Sequence, residues 1–174
     1  MKLEMKKIKF AAFASQETNC YEATVYKDGK PWALVGNEGH GGPDFQYPVD
    51  TKSGGRDWSE LAEVNTFLST THEANVYEAQ NAGRTYQLTF DFEAWCGARL
   101  EEHLYRQDMM KTMRKAALFI DSDGKAYKLQ YKGGRTPDQN LFDLVKKDSP
   151  EAIILNTLPK EQALVKYIKA QEAA

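Results

Sequence analysis

Residues 20–36, CYEATVYKDGKPWALVG, decide the fold class of this chain. Tyr21, Ala23 and Val25 alternate with their neighbours at the period of a strand that buries one face. Asp28-Gly29 follows, and this dipeptide favours a type I′ turn because both central positions need a positive φ. The stretch therefore predicts a β-hairpin whose return strand begins beside Pro31, which suits a strand start or a sheet edge.

A second Asp-Gly hairpin is predicted near the middle of the chain. Its strands are residues 117–121 and 125–132, joined by Asp123-Gly124. Beyond the shared dipeptide the two hairpins do not match, so they do not indicate an internal repeat. A further strand is predicted over residues 6–14, and residues 36–56 form the longest irregular stretch, with six glycines and two prolines.

About four helices are predicted between and after the hairpins. Asp57 is expected to cap the first, and the longest spans about residues 92–115. Thr136 begins a capping box for the third, and Pro159 opens the last. Strands and helices come in blocks, and 174 residues fit one domain. The sequence predicts a single α+β domain over residues 1–174, with a mainly antiparallel sheet built from two Asp-Gly hairpins and about four helices packed on it.

Composition favours a cytoplasmic protein with no membrane association. No apolar run approaches the ~20 residues of a transmembrane helix, and the first residues lack the pattern of a signal peptide. Cys20 and Cys96 lie far apart without a metal-binding or redox spacing, and are expected to be reduced thiols. The oligomeric state is left open by the sequence.

Charge is unevenly distributed along the chain. Residues 57–108 carry 3 basic and 10 acidic groups, whereas residues 109–135 carry 7 basic and 2 acidic groups. The acidic segment is either a solvated face that complements the basic one or a recognition surface for a partner. The acidic contact residues under the second interpretation are Glu60, Glu63, Glu101 and Glu102.

The glycine-rich start of the long loop is the most distinctive chemical feature. Glycines around His40 allow a ligand to approach the backbone closely and can form an anion-binding nest. Glu38 or Asp44 can orient the imidazole for acid–base work, which makes an enzyme centred on His40 one hypothesis. The alternative is a glycine-rich turn with an exposed histidine. The candidate binding residues here are Glu38, Gly39, His40, Gly41, Gly42 and Asp44.

The second hairpin is a candidate nucleic-acid surface. Basic residues interleaved with tyrosines on a sheet can bind phosphates and stack on bases. A mildly acidic chain with a pI of about 6.0 argues against this interpretation. The residues that would carry it are Lys125, Lys128, Tyr131, Lys132 and Arg135.

No metal or cofactor site is indicated. The three histidines have no spacing that places two on one helix face or hairpin. Asp121 to Gly124 resembles the start of a calcium loop, but its glycine comes too early and the later carboxylate is missing. Neither a P-loop nor a dinucleotide fingerprint occurs.

Two segments, residues 15–30 and 35–42, resemble a family of small bacteriophage and mobile-element proteins with no assigned activity. The family pattern is S-x-E-T-x-C, then D-G-K, then N-[DE]-G-x-G-G, and the chain has each part. This resemblance implies a non-enzymatic accessory protein that binds a host protein, as host-takeover or anti-defence factors do. It carries over no catalytic residue.

Overall fold

The computed structural model describes residues 1–49, 59–71, 77–81, 84–88 and 90–172, which group into two compact units, Met1–Leu100 and Glu101–Ala174. Four α-helices and antiparallel strand pairs confirm the α+β class. The prediction of one domain over the whole chain stays a prediction. The strands are β1 Leu3–Phe10, β2 Tyr21–Lys27, β3 Lys30–Asn37, β4 Phe45–Pro48, β5 Tyr77–Asn81, β6 Arg84–Leu88, β7 Ala117–Ile120, β8 Ala126–Leu129 and β9 Ile153–Ile154. The helices are α1 Leu61–Thr71, α2 Phe92–Met113, α3 Gln139–Asp148 and α4 Lys160–Glu172, with short 3-10 turns at Ala12–Ala14 and Leu155–Thr157.

The first unit contains a four-stranded antiparallel sheet in the order β1-β2-β3-β4. The hairpin predicted from residues 20–36 is confirmed as β2 and β3. Asp28 and Gly29 have φ values of 49° and 83°, as a type I′ turn requires. β5 and β6 form a separate two-stranded antiparallel sheet.

One face of the four-stranded sheet, the inner face, is buried. Ala23 and Val25 on β2 and Ala33 and Val35 on β3 are at most 1% exposed. The same unit buries apolar side chains spaced four or three residues apart on its helices, which is the period of one helix face. These helical residues are Val64 and Leu68 on α1 and Phe92, Trp95 and Cys96 on α2.

β1 ends earlier than the sequence predicts. It pairs with β2 as far as Phe10 opposite Tyr21, and the Ala11 N–H then bonds to the Cys20 carbonyl at 2.9 Å. The strand prediction for residues 6–14 is therefore right for its first part and wrong for Ala12–Ala14, which form a 3-10 turn. The chain must turn there, because β2 has no residue left to pair with it.

The predicted loop over residues 36–56 contains a strand, β4. Phe45 pairs with Gly36 in the β3–β4 ladder. A Cβ on Gly36 would lie 2.5 Å from Phe45 Cζ and 2.3 Å from the Tyr21 carbonyl oxygen. The absence of a side chain on Gly36 thus lets the Phe45 ring cover the sheet at this point.

The second unit has a three-stranded sheet in the order β8-β7-β9, so the two Asp-Gly hairpins lie in different sheets. Successive β7 residues contribute to two clusters, as strand alternation requires. Leu118 packs with Met109 and with Leu164 of α4, while Ala117 packs with Leu141 of α3. Here only the glycine of the Asp-Gly pair, Gly124, has a positive φ.

α3 begins later than its capping box predicts. Asp138 is the N-cap residue, and its side chain accepts a hydrogen bond from the Leu141 N–H. Thr136 is therefore not the cap, because Asp138 offers a carboxylate at the position where the extended backbone turns helical. Leu144 is exposed, although it lies three residues after the buried Leu141. The predicted Asp57 cap lies outside the described residues.

Candidate functional site

Residues 15–20 and residues 37–42 lie against each other in the first unit. The Gly39 carbonyl accepts hydrogen bonds from the backbone N–H groups of Gln16 and Glu17, at 2.9 and 3.0 Å. The Ser15 hydroxyl donates to the Ala11 carbonyl and accepts from the Cys20 N–H. We call residues 11–20 the turn segment and residues 38–44 the glycine loop.

Asn37 is the polar centre that joins these segments, and its side chain is buried with 6% exposure. Its Oδ1 accepts from the Thr18 hydroxyl at 2.5 Å and from the Gly39 N–H at 2.9 Å. Its Nδ2 donates to the Gly42 carbonyl at 3.2 Å and to Asp44 Oδ1 at 3.0 Å. All four hydrogen-bonding positions of the amide are thus used to hold the loop.

Gly39 is required by both backbone conformation and space. It has a φ of 87°, and a Cβ would lie 2.1 Å from the Ala14 carbonyl oxygen. Gly42 has a φ of 86° but open space where its Cβ would be. Backbone conformation and space therefore explain why glycines occur in this loop. This explanation favours the interpretation of the loop as a glycine-rich turn.

Asp44 is engaged in a polar network and not with the imidazole. Its carboxylate accepts from the Tyr21 hydroxyl and the Asn37 amide, while its N–H donates to Glu93 at 3.0 Å. Burial, followed by the hydrogen bond to Asp44, raises the pKa of the Tyr21 phenol. The network therefore keeps the Tyr21 hydroxyl protonated as a hydrogen-bond donor to Asp44.

His40 and Glu38 are exposed, one on each side of the buried Gly39. The structure thus brings Glu38, Gly39, His40, Gly41, Gly42 and Asp44 together in one loop but commits Asp44 elsewhere. Burial raises the pKa of the Cys96 thiol, which disfavours the thiolate that a nucleophile needs. The enzyme hypothesis centred on His40 stays a prediction.

Phe13 is the residue that the sequence interpretation missed. It lies in the 3-10 turn and is 93% exposed, the highest value among the exposed large apolar residues. Its immediate neighbour, Ala14, is the residue that contacts Gly39. The apolar pattern of residues 6–14 predicts that Phe13 belongs to a strand. The strand ends at Phe10, so Phe13 lies outside the sheet.

The acidic residues expected to contact a partner are partly engaged in ion pairs. Lys27 Nζ lies 2.8 Å from Glu60 and 3.9 Å from Glu63. Arg106 lies 3.4 Å from Glu102 and binds Glu161 more closely, while Glu101 is exposed. Glu60 and Glu63 belong to the first unit and Glu101 and Glu102 to the second.

The basic hairpin uses its aromatic residues internally. The Tyr131 hydroxyl donates to Asp138, and Arg135 lies over the Tyr131 ring and pairs with Asp138. Tyr127 donates to Asp123 and stacks on Phe119. Lys125, Lys128 and Lys132 are exposed, but Lys128 and Tyr127 are adjacent in β8 and therefore face opposite sides of the sheet. Tyr127 and Lys128 therefore do not share a face along this strand, and the nucleic-acid hypothesis for the hairpin stays a prediction.

The second unit also has a shallow groove of about 370 Å³ between α3 and the edge strand β9. Phe142, Ile153 and Leu158 supply its apolar lining, and Lys146 and Glu151 lie at its rim. The Lys146 ammonium donates to the Pro150 carbonyl at 2.9 Å.

Across the described part of the chain, His, Cys, Asp and Glu side chains form no group of three or more that would hold a metal ion. Each helix in that part is too short or too polar to cross a lipid bilayer. Neither family models, nor curated proteins, nor solved structures gave a match when compared with the chain.

Proposed function

We propose that this protein is a non-enzymatic binding factor that docks on a partner protein through Phe13 and the adjoining glycine loop. The observation that carries the proposal is the 93% exposure of Phe13 on a turn whose neighbouring residues are bonded to that loop. Large aromatic residues dominate the energetics of protein interfaces, since they bury much area for few rotatable bonds.

Preorganisation supports the same function. The turn segment is tied to Gly39 by two backbone hydrogen bonds and to Asn37 through Thr18. A residue displayed on a held backbone loses little conformational entropy on binding, so more of its burial appears as affinity. The buried Asn37 network thus serves to position the exposed Phe13.

The charge around Phe13 indicates the chemistry of the partner. Glu17 and Glu38 are exposed, and they lie on the two segments joined at Gly39. An apolar pocket bordered by lysine or arginine would complement an aromatic anchor on a surface that also carries these carboxylates. The resemblance to mobile-element proteins makes a protein of the bacterial host, in its cytoplasm, the expected class of partner.

A site-specific crosslinking experiment tests this proposal. A photoreactive phenylalanine analogue is placed at position 13, and in a matched control at Val165, which is 55% exposed on α4. In bacterial cells we expect one adduct of defined mass from position 13 and none from position 165. An excess of the unmodified chain should prevent the adduct by competing for the partner, whereas an excess of the Phe13→Asp chain should not.

Identical adducts at both positions would overturn the proposal, as would competition by Phe13→Asp equal to that of the unmodified chain. Thermal unfolding separates binding from folding. The free energy of unfolding of the Phe13→Asp variant should lie within about 0.5 kcal/mol of that of the parent chain, because substitution of an exposed residue removes few contacts.

A further inference from the structure

The face of the four-stranded sheet opposite the buried one, the outer face, carries lysines and aromatic rings in cross-strand rows. One row runs Lys6, Thr24, Leu34 and Tyr47 across the four strands. The next runs Lys9, Glu22, Gly36 and Phe45, and Tyr26 pairs with Glu4 beside them. The proposed docking at Phe13 uses none of these residues.

A β-bulge in β1 places both lysines on this face. The register shifts between Lys6 and Lys9, where Lys7 has a φ of 56°. The side chains of residues three apart on a regular strand point to opposite faces of the sheet. The extra residue in the bulge between Lys6 and Lys9 brings both side chains to the same face. A positive φ at a residue other than glycine is strained, and such strain is often retained where it aims side chains for function.

Aromatic rings lie at the other end of the rows. The Phe45 ring covers Gly36 and stacks on Tyr47, with centroids 5.4 Å apart and planes at 21°. Tyr47 is 40% exposed. Lys6 Nζ lies 4.8 Å from the centre of the Tyr26 ring. Lys6 and Tyr47 are three strand spacings apart, about 14 Å, which spans a short run of nucleotides.

We propose that the outer face binds single-stranded nucleic acid, with bases stacking on Tyr47 and Tyr26 and phosphates binding Lys6 and Lys9. Such strands are bound by aromatic rings that stack on bases together with cations that follow the backbone. Lys6 and Lys9 form ion pairs with Glu4 and Glu22, at 3.2 and 3.0 Å. Exposed pairs of this kind are weak, so a phosphate can replace the carboxylate.

The basic character of the edge strand supports this ligand. β1 and the residue before it carry Lys2, Lys6, Lys7 and Lys9 against one carboxylate, Glu4. This excess of positive charge at one edge complements a polyanion even though the whole chain has a net charge of −2. The nucleic-acid surface proposed here therefore belongs to the first unit, whereas the basic hairpin suggested by the sequence belongs to the second.

Fluorescence anisotropy with a labelled oligothymidine of about 15 nucleotides and the full chain tests the proposal. Binding should be measurable at about 50 mM salt and fall about sevenfold by about 200 mM, as two phosphate contacts to a single strand require. Lys6→Glu with Lys9→Glu should weaken binding by at least about tenfold, and Tyr47→Ala by about fivefold or more. If charge reversal disturbs folding, the variant Lys6→Gln with Lys9→Gln replaces it, and it should lose less affinity.

The matched control is Lys128→Glu with Lys132→Glu, which makes the same charge change on the second hairpin. It should alter the affinity by less than about twofold, since phosphate contacts act locally. Absence of binding by the parent chain at about 50 mM salt would overturn the proposal. A loss caused by the Lys128 and Lys132 variant instead, or a Tyr47→Ala variant that binds as well as the parent, would overturn it too.

Discussion

The buried side chain of Asn37 donates a hydrogen bond to the carboxylate of Asp44, with 3.0 Å between Nδ2 and Oδ1. The two residues are seven positions apart and lie at the two ends of the glycine loop. One amide thus closes the loop and also holds the turn segment through Thr18. The geometry that displays Phe13 depends on this contact.

Asn37→Asp should destabilise the protein by at least about 2 kcal/mol at neutral pH, because two donors are lost and two carboxylates meet in a buried site. The carboxylate introduced at position 37 should have a native pKa above its unfolded value, because burial and the neighbouring carboxylate both oppose its ionisation. Stability of this variant should therefore be greatest at acidic pH and fall as pH rises through neutrality. Denaturant unfolding at pH 4 and pH 7 measures this.

The exchange variant Asn37→Asp with Asp44→Asn is the control. It restores one amide facing one carboxylate, so it should recover part of the lost stability at pH 7. A variant Asn37→Asp with the same stability at both pH values would contradict the account of this contact.

Gly39→Ala and Gly42→Ala separate steric conflict from backbone strain. Both positions have a φ near 87°, so each substitution should cost about 1 to 2 kcal/mol for the left-handed conformation. Only at Gly39 does the new Cβ meet a backbone atom, 2.1 Å away. We expect Gly39→Ala to lose about 2 kcal/mol more than Gly42→Ala in chemical denaturation. Equal losses would show that the Ala14 contact is unimportant.

Tyr21→Phe should destabilise the protein by about 1 to 2 kcal/mol at pH 7, since Asp44 loses a buried donor. The raised pKa of Tyr21 means that its contribution is complete below the ordinary value of 10.0 and is lost as pH rises above it. The stability difference between parent and variant should thus narrow above pH 10. Tyr26→Phe, at a half-buried position of the outer face, is the control and should change the free energy of unfolding at pH 7 by less than about 0.5 kcal/mol.

Asp138→Ala should lower the melting temperature, because the α3 cap, the Tyr131 partner and the Arg135 partner are lost together. The hydrogen bond from Tyr131, then that from Leu141 and the charge of Arg135, hold the pKa of Asp138 below its ordinary 3.8. This stabilisation is present above pH 4 and is lost as pH falls further. Melting curves from pH 7 to pH 2 should converge for parent and variant.

Asp148→Asn is the matched control for the cap. Asp148 ends α3, where a negative charge opposes the helix dipole, so its neutralisation should leave the melting temperature unchanged or raise it slightly. A loss equal to that of Asp138→Ala would contradict the attribution of this stabilisation to the cap.

The sequence by itself determined the elements that depend on neighbouring residues. Asp28-Gly29 specifies its turn because the dipeptide tolerates positive φ at both positions, and the alternation of Tyr21, Ala23 and Val25 specifies a buried face. The α+β class followed from the same local patterns. Thr136 and Asp138 can both act as an N-cap residue for α3. The local pattern favours Thr136, so the predicted start of α3 lies two residues too early.

Only the tertiary structure decided which residues form the surfaces proposed for binding. Phe13 is exposed because β2 begins at Tyr21 and leaves no strand residue opposite the 3-10 turn Ala12–Ala14. Lys6 and Lys9 share a face because a bulge shifts the register, and Asp44 is kept from His40 because Tyr21 and Asn37 bind its carboxylate. These outcomes depend on contacts between residues distant in sequence, which no local pattern of side chains encodes.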